Sequence, residues 1–170
     1  MNRLVNTTVL SNFAATQALD LLRDTAGPLY LPNEVYDEIA AGQMAGYAFY
    51  DGIERMIVPL DRRGWLHLIA MTDEELTLAT TLPGYLHRGE VACLCMARQR
   101  GWGFLTDDRA ARRQAQQWKI PISGTLGVLL LTVQDARLTI HEANALLMAM
   151  IEKAHYRSPV SDLGHLLAHS

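Results

Sequence analysis

Short apolar runs alternate with longer stretches in which apolar residues recur every three or four positions. The short runs have the length of β-strands, and the longer stretches have the period of α-helices. Strands are therefore predicted at residues 3–6, 29–31, 65–71, 103–106 and 120–123. Because short strands separated by helices are typical of parallel sheets, the pattern predicts an α/β fold with a central parallel sheet of about four or five strands.

Helices are predicted between and after these strands, at residues 9–25, 33–42, 72–76, 89–101, 107–118, 124–138, 139–155 and 160–167. Thr7 or Thr8 is the predicted cap of the first helix, and Thr72 and Glu75 have the spacing of a capping box. The looser region 43–64 is expected to be helical in its middle. The sequence contains no repeat or linker, so residues 1–170 are expected to form one domain. The helices from about residue 124 onward would complete it or form an interface.

The composition is that of an ordinary globular domain. Hydrophobic residues make up 49% of the 170 residues and charged residues 19%, which excludes a disordered chain. A net charge of −3 gives no general attraction to nucleic acid, so any such binding needs a local basic patch. Cys93 and Cys95 are the two cysteines, and we expect buried, unreactive thiols. Since the chain shows neither a signal peptide nor a membrane span, a cytoplasmic location is expected.

Polar side chains stand at or near the predicted carboxyl ends of strands, where parallel sheets form ligand sites. They are Asn6 after the first strand, Asp107 and Asp108 after the fourth, and residues 123–125 after the fifth, with Glu38 and Glu90 on helices that could face the same end. Carboxylates held close together raise each other's pKa or need a cation. Oxygen ligands favour Mg²⁺ or Mn²⁺ over zinc. Such a site suits hydrolysis of phosphodiester bonds.

Each of these carboxylates also has a purely structural interpretation. One of the adjacent aspartates is expected to cap the following helix; we prefer Asp107 as metal ligand and Asp108 as the cap or a second ligand. Glu90 begins a helix, where the helix dipole stabilises a carboxylate. Glu38 could be a solvated surface residue. The polar residues Ser11 and Asn12 could line a pocket or form hydrogen bonds in the core.

A local basic stripe is predicted on the helix after the two aspartates. Arg109, Arg112 and Arg113 share one helix face, and they are candidate RNA phosphate contacts or a solvated face. Thr125 could begin a helix or help bind a phosphate at that helix's amino terminus.

Five segments, taken in order, resemble the PIN-domain ribonucleases, and specifically their VapC-like toxin branch. They are "LVNTTVLSNFA", "LPNEVYDEIA", "HRGEVACLCMA", "GFLTDDRAARRQA" and "IPISGTLGVLL". By this resemblance Asn6 stands where the family's first acidic residue is usual. Glu38, Glu90 and Asp107 stand at the following three acidic positions.

The resemblance implies a three-layer fold and an acidic pocket that binds Mg²⁺ or Mn²⁺ and cleaves RNA. The implied metal ligands are Asn6, Glu90 and Asp107, with Glu38 and Asp108 as further catalytic residues. It also implies an RNA substrate, a cognate antitoxin and a homodimer. Asn6 departs from the family pattern, because an amide replaces a carboxylate and should weaken binding of a hard cation. A natural variant, a substitution that silences a toxic nuclease and a degenerate site all fit this departure.

Three hypotheses follow. The chain is a metal-dependent endoribonuclease, the toxin of a toxin–antitoxin pair. Alternatively, it is a PIN fold that has lost catalysis through Asn6 and binds RNA or protein. In the third hypothesis it is an unrelated α/β domain whose carboxylates are only caps and surface charge.

Overall fold

The computed structural model describes residues 1–167, and within them six strands form one all-parallel sheet. The strands are β1 (Arg3–Val5), β2 (Leu29–Pro32), β3 (Ile57–Val58), β4 (Leu66–Ile69), β5 (Gly103–Leu105) and β6 (Ile122–Ser123). Their order across the sheet is β3-β4-β2-β1-β5-β6. In the central register, Leu4 of β1 pairs with Tyr30 of β2 on one side and with Phe104 of β5 on the other.

Helices connect and cover these strands. They are α1 (Thr7–Ala15), α2 (Leu19–Ala26), α3 (Asn33–Met44), α4 (Asp73–Ala79), α5 (Arg88–Arg100), α6 (Arg109–Gln117), α7 (Thr125–Gln134), α8 (Ile140–Lys153) and α9 (Gly164–Leu167). Helices α3, α4 and α6 each pack against α5, whereas α1, α2, α7 and α8 form a second group. The predicted α/β fold, a parallel sheet flanked by helices, is confirmed.

The core lies between the sheet and these helices. Its largest fully buried side chains include Leu4 and Phe104 on neighbouring strands, Phe13 on α1, and Leu94 and Met96 on α5. The α5 segment is apolar on nearly all sides because it contacts β1, β2 and β5 below it and three helices around it. It ends at Gly101, whose φ of 67° is the left-handed conformation that glycine adopts readily.

The structure differs from the predicted elements in four details. The middle of region 43–64 is helical as expected, with two short 3-10 helices at Ala48–Tyr50 and Ile53–Met56. A sixth strand, β3, follows them and was not predicted, because two residues are too few to show a period. The predicted first helix is two helices, separated by a turn in which Gln17 has a φ of 56°. Because apolar residues keep helical spacing across that turn, and no glycine or proline marks it, the pattern did not reveal the break. The cap of α1 is Asn6, not a threonine. Helix α3 also continues past Gly42 to Met44.

Both cysteines are free and fully buried, as expected. Burial raises the pKa of the Cys93 thiol well above its usual value and that of Cys95 to about 11. Both thiols therefore stay protonated and unreactive at neutral pH. None of the helices described within residues 1–167 has the length and apolar character needed to cross a membrane.

The strand order reverses direction between β1 and β5. From β1 the chain moves to β2 on one side and later returns to β5 on the other. In open parallel sheets a crevice forms at such a switch point, outside the carboxyl ends of the strands. Asn6 follows β1 there and Asp107 lies just beyond β5, so the topology brings these two predicted site residues to the same crevice.

Candidate active site at the carboxyl end of the sheet

Asn6 joins the ends of the two central strands. It is 3% exposed, and its Nδ2 donates a hydrogen bond to Thr106 Oγ1 at 2.8 Å. Its Oδ1 accepts hydrogen bonds from the Val9 amide at 3.3 Å and from Thr8 Oγ1 at 2.8 Å. All polar atoms of the Asn6 side chain are therefore used within the protein, as the cap of α1 and as a clamp between β1 and β5.

Asp107 is fastened to the amino terminus of α7. Its Oδ1 accepts from the Thr125 amide at 2.9 Å, and its Oδ2 accepts from Thr125 Oγ1 at 2.6 Å and from Asn12 Nδ2 at 3.2 Å. Asn12 also donates to Thr125 Oγ1 at 3.0 Å. A Cβ on Gly124 would lie 2.4 Å from Asp107 Oδ1, so this approach requires glycine. The Thr125 amide and hydroxyl, which were candidates for phosphate binding, both donate hydrogen bonds to Asp107 instead.

The groups around Asp107 stabilise its negative charge, whereas its burial opposes that charge. Burial raises the pKa of Asp107, whereas the hydrogen bonds from Thr125 and Asn12 and the nearby Arg112 guanidinium lower it. The carboxylate thus lies among donors and a cation.

Asp108 caps α6. Its Oδ1 accepts a hydrogen bond from the Ala111 amide at 2.7 Å, and its own amide donates to Thr106 Oγ1 at 3.2 Å. The prediction that Asp108 is the cap is confirmed.

Glu90 has surroundings opposite to those of Asp107. The side chain is buried, with 7% exposed, and its Oε2 accepts from the His87 amide at 3.0 Å at the start of α5. Burial raises its pKa, the His87 amide lowers it, and the charges of Asp108 and Glu38 raise it further. Carboxylates from α3 and from the β5–α6 junction therefore act on the buried Glu90 of α5; we call Glu38, Glu90 and Asp108 the acidic group.

Glu38 faces α5, where it holds the beginning of that helix. Its Oε1 accepts from the Gly89 amide at 3.0 Å, and its Oε2 accepts a short hydrogen bond from Thr7 Oγ1. A Cβ on Gly89 would lie 2.7 Å from Glu38 Oε1 and 2.9 Å from Val35. The glycine in the segment "HRGE" thus allows α3 and α5 to approach closely.

The acidic group has the donor chemistry that a hard divalent cation prefers, since its ligands are carboxylate oxygens that repel one another. Among residues 1–167, however, no three side chains of Asp, Glu, His or Cys are arranged to hold one metal ion. Hydrogen bonds explain why these carboxylates do not converge on one point. Both oxygens of Glu38 and both oxygens of Asp107 are directed to protein donors instead.

The three arginines of the basic stripe predicted on α6 have different surroundings. Arg112 is half-buried, and its Nη1 donates to the backbone oxygens of Thr106 at 2.9 Å and Ser123 at 3.1 Å. Arg109 is exposed and lines a cavity together with Arg112. Arg113 is also exposed, but it does not line either of the cavities found beside Asp107 in the described part of the chain.

Two cavities, of about 360 and 310 Å³, flank Asp107. The larger is lined by arginines and the start of α7, and the smaller by Thr8, Ser11, Asn12 and Asp108. Both are also lined by Tyr156 and Arg157, which follow α8. Sequence reasoning missed these two residues, because only the tertiary fold brings the segment after α8 back to the strand ends. Ser11 and Asn12 lie on the pocket wall, and both also form hydrogen bonds.

Comparison with known families finds a match over nearly the whole chain. The family model DUF3368, described as a PIN domain, matches residues 3–167. The match spans every strand and all the residues of the acidic group, which disposes of the hypothesis of an unrelated α/β domain. A search of curated proteins finds no match for this chain.

Proposed function

Because this chain belongs to the PIN-domain family, we propose that it is a metal-dependent endoribonuclease that hydrolyses RNA phosphodiester bonds, acting as the toxin of a type II toxin–antitoxin pair. The family has a nuclease-type fold, and the nuclease function needs an acidic pocket beside a phosphate-binding surface. The observation that carries the proposal is the buried carboxylate of Glu90 near the switch point of the sheet, whose pKa is raised by burial and by the charges of Asp108 and Glu38.

The acidic group is the proposed holder of Mg²⁺ or Mn²⁺. Of the predicted ligands, Glu90 keeps that role, with Asp108 and Glu38 as its partners, because theirs are the carboxylate charges that raise the pKa of Glu90. Glu38 would exchange its hydrogen bonds from Thr7 and Gly89 for the ion. Asn6 and Asp107, which are not among those charges, become positioning residues at the strand ends. A divalent ion bound there would polarise a phosphoryl oxygen and lower the pKa of an attacking water.

The protein's own residues would place the RNA. Arg109 and Arg112 line the larger cavity beside Asp107, whereas Asp108 of the acidic group lines the smaller one. The two arginines would bind phosphate oxygens without reading the base sequence. Arg113 would add a further exposed contact along α6. The Asp107–Thr125 pair would fix the distance between the arginines and the carboxylates, because it joins the end of β5 to the start of α7.

The proposal is tested by incubating an end-labelled RNA with the purified protein in Mn²⁺, Mg²⁺ or EDTA. Internal cleavage is expected with either ion and none with EDTA. Glu90→Gln, prepared in parallel, is the matched control for a contaminating nuclease and is expected to be inactive. Equal cleavage by both proteins, or no cleavage by the wild type and by Asn6→Asp, would contradict the proposal.

The second candidate function is a PIN fold that binds RNA or protein without cleaving it. The amide of Asn6, in the position of the family's first acidic residue, favours this alternative. Cleavage that appears only in Asn6→Asp would identify the wild type as this binding module.

The proposed partners follow from the same assignment. We expect an antitoxin that covers the acidic group, action in the cytoplasm, and a homodimer. The homodimer would use the exposed apolar side chains of α7 and α8, which include Leu131, Ile140 and Met148. Sedimentation of the wild type and of Met148→Glu tests the dimer. Loss of growth on expression, and its absence for Glu90→Gln, tests toxicity.

A further inference from the structure

The larger cavity beside Asp107 is cationic. Three arginines line it: Arg109 and Arg112 from α6, and Arg157 from the segment after α8. Asp107 is the carboxylate on its wall, and its two oxygens already accept hydrogen bonds from Thr125 and Asn12. The cavity therefore presents more positive charge than its own wall neutralises.

Two of these arginines have no partner in the described part of the protein. Within residues 1–167, the guanidinium groups of Arg109 and Arg157 form no hydrogen bond or ion pair with another side chain or with the backbone, and both residues are exposed. Arg112, by contrast, is anchored through Nη1 to the oxygens of Thr106 and Ser123. One fixed guanidinium thus stands beside two that are available to a ligand.

The backbone adds donors on the same wall. Gly124, Leu126 and Gly127 line the cavity at the amino terminus of the ten-residue helix α7. The first helical bond of α7 runs from the Val128 amide to the Gly124 oxygen, so the amides of Leu126 and Gly127 have no acceptor within the helix. Free amides and arginines around one cavity are the donor set that phosphate oxygens fit.

The segment after α8 ties this cavity to the acidic group. Tyr156 and Arg157 line both cavities, and Asp108 of the acidic group lines the smaller one. Burial, followed by the charge of Asp107, raises the pKa of Tyr156, so its hydroxyl stays protonated. An extended strand that crosses from one cavity to the other would pass Arg157 at the boundary.

We propose that Arg157, with Arg109, Arg112 and the start of α7, forms a subsite for a backbone phosphate of single-stranded RNA, adjacent to the phosphate that is cleaved. The inference rests on the proposed function for the identity of the polymer. The assignment of Arg157 rests on the cavity alone. The segment after α8 then belongs to the RNA-binding surface and is more than a connection to α9.

The test measures binding apart from cleavage. Fluorescence anisotropy of a short labelled single-stranded RNA is recorded in EDTA at several salt concentrations, for the wild type, Arg157→Ala and Arg109→Ala. Each substitution should weaken binding roughly tenfold and lower the slope of log affinity against log salt by about 0.7. Because both side chains are exposed and unpaired, the variants should fold as the wild type does, which circular dichroism and thermal unfolding check.

Arg137→Ala is the matched control. Arg137 is exposed and follows the carboxyl end of α7, the end remote from the cavity, so this variant loses the same charge elsewhere and should bind RNA as the wild type does. An equal loss in Arg137→Ala, unchanged binding by Arg157→Ala, or no RNA binding by the wild type would each overturn the inference.

The source of the phosphate is tested with the same strand carrying a 5′-hydroxyl or a 5′-phosphate. A backbone subsite should lose affinity equally for both strands on Arg157→Ala. Loss confined to the phosphorylated strand would identify a terminal phosphate instead and overturn the inference.

The outcomes separate this inference from the proposed nuclease function. Cleavage by the wild type together with unchanged binding by Arg157→Ala would refute the subsite and leave the nuclease standing. Binding that depends on Arg157, together with no metal-dependent cleavage by the wild type or by Asn6→Asp, would support the subsite and refute the nuclease.

Discussion

Asp107 and Glu90 lie in the same crevice and share one physical condition, but their neighbours differ. Burial is the largest cause that raises the pKa of each. Around Asp107, hydrogen bonds from Thr125 and Asn12 and the charge of Arg112 oppose that effect. Around Glu90, the carboxylates of Asp108 and Glu38 add to it. One side of the crevice is thus satisfied within the protein, and the other keeps a repulsion that a cation would relieve.

This difference separates the structural role of Asp107 from the chemical role proposed for Glu90. Asp107 links β5 to α7 with bonds that must persist for the strand ends to stay in place. The charges of Asp108 and Glu38 disfavour the ionised form of the buried Glu90, and such local cost is typical of functional sites. Substitutions of Asp107 and of Glu90 should therefore change stability in opposite directions.

The largest expected effect on stability is that of Asp107→Ala. Removing the carboxylate leaves the Thr125 amide, the Thr125 hydroxyl and the Asn12 amide group without their acceptor, and buried unpaired donors are costly. We expect a loss of about 3 kcal/mol in the free energy of unfolding, measured by urea denaturation. The adjacent Asp108→Ala should lose only about 1 kcal/mol, the usual value of a helix cap. Similar losses in the two variants would remove the distinction between these neighbours.

Glu90→Gln should act in the opposite direction on stability while abolishing function. The amide keeps an oxygen for the His87 amide and removes the repulsion from Asp108 and Glu38. We expect cleavage to fall about 100-fold or more and the free energy of unfolding without metal to rise by about 1 kcal/mol. Lower stability in the variant would show that Glu90 is a structural cap rather than a strained site residue.

The raised pKa of Glu90 also predicts how the free energy of unfolding depends on pH, and Glu90→Gln tests it. The folded protein has the higher pKa at Glu90, so between the unfolded and folded pKa values it binds more protons than the unfolded chain. The free energy of unfolding must therefore fall as pH rises through that window. Thermal unfolding in EDTA between about pH 4 and 7 should show this contribution in the wild type and its loss in Glu90→Gln. Parallel pH profiles for the two proteins would contradict the raised pKa.

The sequence predicted the crevice better than it predicted the roles within it. The alternation of strands and helices and the order of the five segments were enough for the parallel sheet and the family. The assignment of ligand and cap between Asp107 and Asp108 depends on where the start of α7 lies, which periodicity does not reveal. No sequence pattern indicated that Arg157 lies beside the site, because its position depends on the path of the chain after α8.

Asn6→Asp tests whether the end of β1 belongs to the acidic side. A carboxylate there adds negative charge, so affinity for Mn²⁺ or Mg²⁺ should rise about tenfold, because charge count sets the affinity of hard-cation sites. Without metal, stability should fall, since the hydrogen bond from Asn6 Nδ2 to Thr106 Oγ1 is lost. Calorimetric titration and melting with and without the ion measure both effects. Equal metal affinity would place Asn6 outside the metal site.

The smallest expected effect concerns the two arginines that share one face of α6. Arg112 donates to the oxygens of Thr106 and Ser123, and so holds the ends of β5 and β6 together on the satisfied side of the crevice. Arg112→Ala should therefore lose about 1 kcal/mol in the free energy of unfolding. Arg113 is exposed, and Arg113→Ala should stay within about 0.5 kcal/mol of the wild type.

Urea denaturation of both variants in EDTA is the measurement. Because each removes one arginine from the same helix, their net charges are equal, and a difference between them reports the surroundings of Arg112, which are its two hydrogen bonds and its position beside the Asp107 carboxylate. Equal stabilities would mean that Arg112 contributes nothing measurable to folding, and that Asp107 and its partners hold the strand ends without the arginine.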